Sequence, residues 1–452
     1  MARTSLPDAL RAVREAAQPF EGEEAHYAPL LRLLAERRIV CLGEASHGTH
    51  DFYHERAEIT KRLIADHGFD AVVIEGDWPD SYCVHRWVNG RGSDGSTVAA
   101  LSGFRRFPQW MWRNTVTVDF VDWLRLHNAR TADGARAGFF GMDLYSLHGS
   151  IAAVLRYLER VDPDAHARAR ERYACFDHFG TDPQAYGYVA SGDVRLSCED
   201  EVVRQLVELA RHATRYAHDG EAEAEEFFSA EQNARLVKNA EEYYRSMFRG
   251  RVSSWNLRDT HMVETLAHIV GHLESQGRAG KVVVWAHNSH LGDARATDMG
   301  RRGEVNVGQL VRQRWGRERC ALVGFTTHTG TVSAADDWDD PVDRKTVRPS
   351  LEGSVERLLH DAGGQGARFL LLLEEGVADA GLRAALRTPL LERAIGVVYR
   401  PRTERMSHYF DVTLSEQFDA VIHLDETRAV EPLERNPAWD EGEVPETYPS
   451  GI

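Results

Sequence analysis

The chain has 452 residues, 42% of them hydrophobic, enough to bury a large core and to suggest two or three structural units rather than one small domain. Its 70 acidic against 54 basic residues leave a formal net charge of −16, which argues against nucleic acid or an anionic membrane as partner and favours a neutral or cationic small molecule. Apolar runs such as Phe369–Leu373 fall far short of the roughly 20 residues a membrane helix needs, so no span is expected.

Met1–Phe20 alternates charged and apolar residues at helical spacing and lacks the apolar core of a secretory signal. Cys41, Cys83, Cys175, Cys198 and Cys320 are odd in number and contain no C-x-x-C pair, a pattern that reads as reduced thiols in a cytoplasmic protein. A first strand is expected at Ile39–Gly43 and a second at Ala71–Ile74. Between them His54–His67 carries Ile59, Leu63 and Ile64 on one apolar face, so the three elements form a βαβ unit. Gly138–Gly141 is the third strand. From 150 to 275 strand signals vanish, and helical stretches rich in Arg, Glu and Ala take over, such as Cys198–His218 and Ala230–Phe248. Strands resume at Lys281–Ala286, Cys320–Phe325, Phe369–Leu373, Gly396–Tyr399 and Ala420–Leu424, with a charged loop at Asp336–Arg348.

This order predicts a three-layer α/β/α fold around a central, mainly parallel sheet. Its parts are a first stretch of catalytic core (1–149), a helical insertion forming a roof or wall over one end of the sheet (150–275), the second stretch of core (276–430) and a surface tail (431–452). Nothing in the pattern specifies an oligomeric state.

Ligands of open parallel sheets sit outside the carboxyl ends of the strands. Strand one is followed by Glu44, Ser46, His47 and His50, strand two by Glu75, Asp77 and Trp78, strand three by Asp143, and strand four by His287 and His290. Each has a bland reading. Glu44 could merely cap a helix, and His287 or His290 could be a satisfied core histidine. Glu75 follows a wholly apolar run, so its carboxylate would be costly to desolvate without a partner. The G-x-S-x-G elbow of a serine hydrolase is missing, since Ser46 lies in Gly43-x-x-Ser46-x-Gly48, and the turn after strand one has neither a phosphate loop nor a dinucleotide fingerprint. Histidine and glutamate chemistry remains, with a general base acting on water or a metal held by imidazoles and carboxylates.

Gly43–Gly48 (GEASHG), Ile74–Trp78 (IEGDW), Gly141–Asp143 (GMD), Trp255–Met262 (W-N-x-R-D-x-x-M), Trp285–His290 (W-A-H-N-x-H) and Tyr399–Tyr409 together resemble the erythromycin esterase family, including its succinoglycan-biosynthesis-type homologues, over nearly the whole chain. The resemblance implies hydrolysis of a macrolide lactone, with His47 as the base, Glu44 and Glu75 as supporting carboxylates, Arg56 as a cation facing the site, and His287 and His290 beside it. Asp77, Trp78, Asp143 and His50 stand as candidate substrate contacts.

In this reading His47, oriented by Glu75 or Glu44, activates water without an acyl-enzyme, and a protonated His287 or His290, or Arg56, stabilises the oxyanion. No cofactor is required. Two alternatives compete. One is a zinc or manganese hydrolase built on His47-x-x-His50 and His287-x-x-His290, although His54-Glu55 lacks the second histidine of an H-E-x-x-H helix. The other is a non-catalytic binder of a bulky hydrophobic product, using Trp78, Trp87, Trp110 and Trp112.

Overall fold

The computed structural model describes residues 5–435 apart from 180–182, 193–196, 217–220 and 249. Its strands in chain order are β1 (Gln18–Pro19), β2 (Ile39–Leu42), β3 (Ala71–Asp77), β4 (Gly138–Asp143), β5 (Val282–Trp285), β6 (Cys320–Thr326), β7 (Thr329–Ala334), β8 (Asp343–Val347), β9 (Arg368–Leu372), β10 (Leu390–Arg393), β11 (Tyr409–Val412), β12 (Ala420–Leu424) and β13 (Glu426–Thr427). Eight of them form one sheet in the order β1-β9-β12-β6-β2-β5-β3-β4. β9 runs antiparallel to both β1 and β12, and every other pairing is parallel.

The central strands are apolar throughout because both their faces are buried. Ile39, Cys41, Ala71, Val73, Val282 and Val284 point to one side, where they share a core with helices Leu147–Val161, Glu221–Ser246 and Arg251–Ser275. Val40, Leu42, Val72, Ile74, Val283 and Trp285 point to the other, against helices Glu24–Leu34, His50–His67 and Thr115–Ala129. These are the three layers. The long helices from 147 to 275 therefore have no separate core and cover a face of the sheet rather than only its end.

Register makes the carboxyl edge level. Leu42 pairs with Trp285, Trp285 with Ile74, and Ile74 with Gly141, so β2, β5, β3 and β4 end side by side. Between Ile74 and Asp77 the β3–β4 register shifts, so that Glu75 and Gly76 together stand opposite Met142 as a bulge. Such a bulge re-aims side chains at a sheet edge.

Several expectations need correction. Gly396–Tyr399 is not a strand; Val398 makes only an isolated bridge to Ala335. The charged segment Asp336–Arg348 contains β8, which pairs antiparallel with β7 and buries Lys345 and Val347 at alternate positions. Cys175 and Cys198 form a disulfide across 23 positions, so those two thiols are not reduced and the cysteine pattern no longer argues for a reducing compartment. Their pairing depends on how the helices pack, which spacing alone does not show. Cys41 and Cys320 are buried on neighbouring strands, and Cys83 is exposed. Most of the expected tail, 436–452, lies outside the described residues. Among the described residues no helix is long and apolar enough to cross a membrane.

Candidate active site

The turn after β2 is pinned on all sides. Gly43 donates its N–H to the Val323 carbonyl, the Glu44 carbonyl accepts from Asn288 N–H, and His47 N–H reaches the Ile395 carbonyl. Glycine is required at both ends of this turn by close approach. A β-carbon on Gly43 would lie 2.1 Å from the Asn288 amide oxygen, and one on Gly48 would lie 1.8 Å from the Ser333 carbonyl. The Tyr53 hydroxyl also donates to the His47 carbonyl at 2.9 Å.

Within this turn His47 Nδ1 lies 2.9 Å from Glu44 Oε1, and Glu44 Oε2 pairs with Arg56 at 2.7 Å. Arg56 belongs to the buried stripe of helix His50–His67 that also carries Phe52, Ile59 and Leu63. Its guanidinium is fully buried and stacks over Tyr53 (4.5 Å) and Trp285 (5.3 Å). Arg56 is thus a cation behind Glu44, with the carboxylate between it and His47, rather than one facing the reacting atoms. Glu44, not Glu75, is the partner of His47 Nδ1, and the other ring nitrogen, Nε2, faces Glu75 Oε1 at 4.0 Å.

Glu75 sits at the centre of the edge. Its Oε2 accepts the His287 backbone N–H at 2.9 Å, and its Oε1 lies 2.7 Å from Arg258 and 3.4 Å from His290 Nε2. Burial would push its carboxyl up, but His290, His47, Arg258 and the His287 N–H outweigh it and hold Glu75 well below the usual carboxylate range. Arg258 also grips Asp143 in a two-pronged bond at 2.9 and 2.7 Å and lies over the Tyr145 ring at 4.9 Å. The expected residue Asp143 therefore reaches the site through this guanidinium.

The histidines after β5 differ in character. Nδ1 of His287 accepts the Ser289 N–H at 3.1 Å and lies 2.8 Å from its hydroxyl, an arrangement that leaves the proton of the neutral ring on Nε2. Burial, then the nearby His47, bring His287 down to about 3, so the ring is neutral at physiological pH. Its Nε2 faces the Ala45 backbone, and its ring lies 4.9 Å from that of His47. In His290 burial would lower the pKa, but Asp259 and Glu75 outweigh it and raise it. Its Nδ1 is 2.9 Å from Asp259, its Nε2 is 3.1 Å from Arg258, and its ring stacks on Trp255 at 4.5 Å.

Trp255, Arg258 and Asp259 are the contributors that strand-end reasoning passes over. They stand at i, i+3 and i+4 on helix Arg251–Ser275, hence on one face. The signal was present in the W-N-x-R-D motif, where an adjacent Arg and Asp interrupt a helix that buries Met262, Leu266 and Ile269.

Most other candidates are placed elsewhere, whereas Asp77 stays at the same edge, opposite Asp143. Trp78 is a core residue, stacked on Phe140, in edge contact with Phe228 and donating to Ser229 at 3.2 Å. Trp87, Trp110 and Trp112 are likewise buried in the opposite core, so these indoles do not form an aromatic mouth. Asp77 is paired with Arg106. His50 bonds Arg428 at 2.5 Å and stacks with His54 on the outer turn of its helix; burial, then Arg428, lower it to about 4. The Ser46 hydroxyl is buried against Thr49.

A sequence profile described as erythromycin esterase matches residues 64–427. Erythromycin esterase type II of Escherichia coli is 22% identical over 357 residues, covering 75% of this chain and 81% of its own. The crystal structure of a succinoglycan biosynthesis protein superposes with a TM-score of 0.76 at 19% identity, covering 95% of this chain and all of the other. A mutant of erythromycin esterase EreC in its open conformation gives a TM-score of 0.63 at 18% identity, covering 94% of this chain and 98% of its own. These structures share the fold, and the profile match spans most of the length. The chain belongs to the erythromycin esterase family.

Proposed function

We propose that the protein hydrolyses a carboxylic ester or lactone of a bulky natural product, of the macrolide type, using water activated by His47. The observation that carries this reading is the chain Arg56–Glu44–His47. A buried cation pairs with Glu44, and Glu44 accepts a hydrogen bond from His47 Nδ1–H, leaving the Nε2 lone pair turned towards Glu75. A water bonded to Nε2 and Glu75 gives its proton to His47 as its oxygen attacks the ester carbonyl. The neutral His287 Nε2–H, with Arg258 and the raised His290 near Glu75, supplies donors and positive charge for the oxyanion. The His47 proton then passes to the departing alkoxide, so ester and water become acid and alcohol.

The carboxylate environment favours this reading over a metal hydrolase at the same place. Glu75 and Asp143 already direct their oxygens to Arg258, whose fixed positive charge occupies the position a cation would need. The buried Ser46 gives no support to a covalent serine route.

The test is turnover of macrolide lactones and simple esters, read by mass spectrometry as addition of one water. His47→Ala should lose about 10²–10⁴-fold with the fold intact. Near-normal turnover in that variant, or a stable acyl adduct on the intact wild-type protein, would overturn the mechanism.

A further inference from the structure

The carboxyl edge of the sheet carries a second gathering of imidazoles, away from His47. His328 follows β6, Asp425 follows β12, and His360 lies on helix Val355–Gly363. One ligand-capable atom of each residue lies within 4.8 Å of those of the other two. The two imidazoles stack with centroids 3.7 Å apart and planes 9° from parallel. His328 and Asp425 are buried, whereas the His360 side chain is 24% exposed and leaves an approach from solvent.

The groups are held in place before any ligand arrives. The His328 N–H donates to the Asp425 carbonyl at 3.0 Å, and its own carbonyl accepts from Ser350 N–H and Arg393, each at 3.1 Å. Ser350 Oγ lies 2.6 Å from His328 Nδ1. Asp425 Oδ2 accepts the Gly366 N–H at 2.7 Å, while Oδ1 is 2.7 Å from His360 Nδ1 and 3.4 Å from His423 Nε2. His423 is in turn fixed through Nδ1 by the Thr326 hydroxyl at 2.9 Å.

Outer partners of this kind orient metal-binding imidazoles and carboxylates. Two imidazoles and a carboxylate form the mixed nitrogen–oxygen set that zinc and related ions prefer.

We infer that His328, His360 and Asp425 bind one divalent transition-metal ion of the zinc class, with water completing the coordination on the exposed side of His360. The ion would tie the ends of β6 and β12 to helix Val355–Gly363, and nothing in the His47 mechanism passes through it.

The full chain, stripped with a chelator and dialysed, is titrated with zinc against a chromophoric competitor, and with cobalt to read visible ligand-field bands. Wild type and His290→Gln should each take up one tightly held equivalent. His328→Gln and His360→Gln should weaken uptake by at least about 100-fold, and His423→Gln, which changes only an outer partner, by about 10–100-fold. Zinc should also shield His360 from diethylpyrocarbonate in the unaltered chain, a readout independent of how any variant folds. The assignment fails if no stoichiometric uptake occurs, if uptake survives loss of both His328 and His360, if zinc leaves His360 unprotected, or if uptake disappears in His290→Gln alone.

Discussion

Replacing Glu44 by glutamine probes the base of the proposed mechanism and the stability of the turn at once. Arg56 is fully buried, its ion pair is with Glu44, and its guanidinium nitrogens make no hydrogen bond. Neutralising Glu44 therefore strands a charge in the interior, a change that costs about 3–5 kcal/mol. Set against a typical total stability of about 5–15 kcal/mol, the urea midpoint should fall visibly at an unchanged slope. The double variant Glu44→Gln/Arg56→Met removes both charges and leaves an apolar chain of similar length between Tyr53 and Trp285. It should recover most of that loss, because replacing a buried pair by apolar groups is often neutral.

Activity should behave differently. In both variants His47 loses the carboxylate that supports its charged form, so turnover should stay depressed by about 10²-fold or more even where stability returns. A Glu44→Gln protein within about 1 kcal/mol of wild type would refute the reasoning, as would a double variant no more stable than the single one.

Arg258→Met should abolish turnover while leaving substrate binding less affected, measured as a fall in kcat larger than any rise in KM, because Glu75 and Asp143 lose their shared cation beside the oxyanion. His287 is depressed to about 3 from an unfolded value near 6.5, so between those values the unfolded chain binds a proton that the native one refuses; stability should fall as pH drops through this window, and His287→Asn should flatten that slope in urea midpoints. Glu75, held below its usual range, works in a lower window. Its contribution is complete above about pH 4.3 and drains as pH falls beneath it, so wild type and Glu75→Gln should converge in stability in strong acid. Gly48→Ala places a methyl group on the Ser333 carbonyl and should displace the His47 turn, seen as lost activity with a lowered thermal midpoint.

Much of the sheet was legible because strands buried on both faces must be apolar at every position. Ile39–Leu42, Ala71–Ile74 and Val282–Trp285 announce themselves in that way, and the reactive residues directly after them stand out against the apolar runs. β7 and β8 escaped notice for the converse reason. Their hairpin is buried only at some positions, so Asp343, Arg344 and Lys345 read as a charged loop.

By itself, then, the sequence determined the α/β class, the strand ends carrying Glu44, His47, Glu75, Asp143, His287 and His290, and the absence of a serine elbow. Tertiary structure alone decided the partnerships. Glu44 rather than Glu75 holds His47, Arg56 lies behind that pair, Trp78 turns into the core, and Trp255, Arg258 and Asp259 arrive on a helix far along the chain. The physical reason is that periodicity tells which side of an element is buried, whereas register, the bulge at Glu75 and the packing of distant helices decide what each buried group meets.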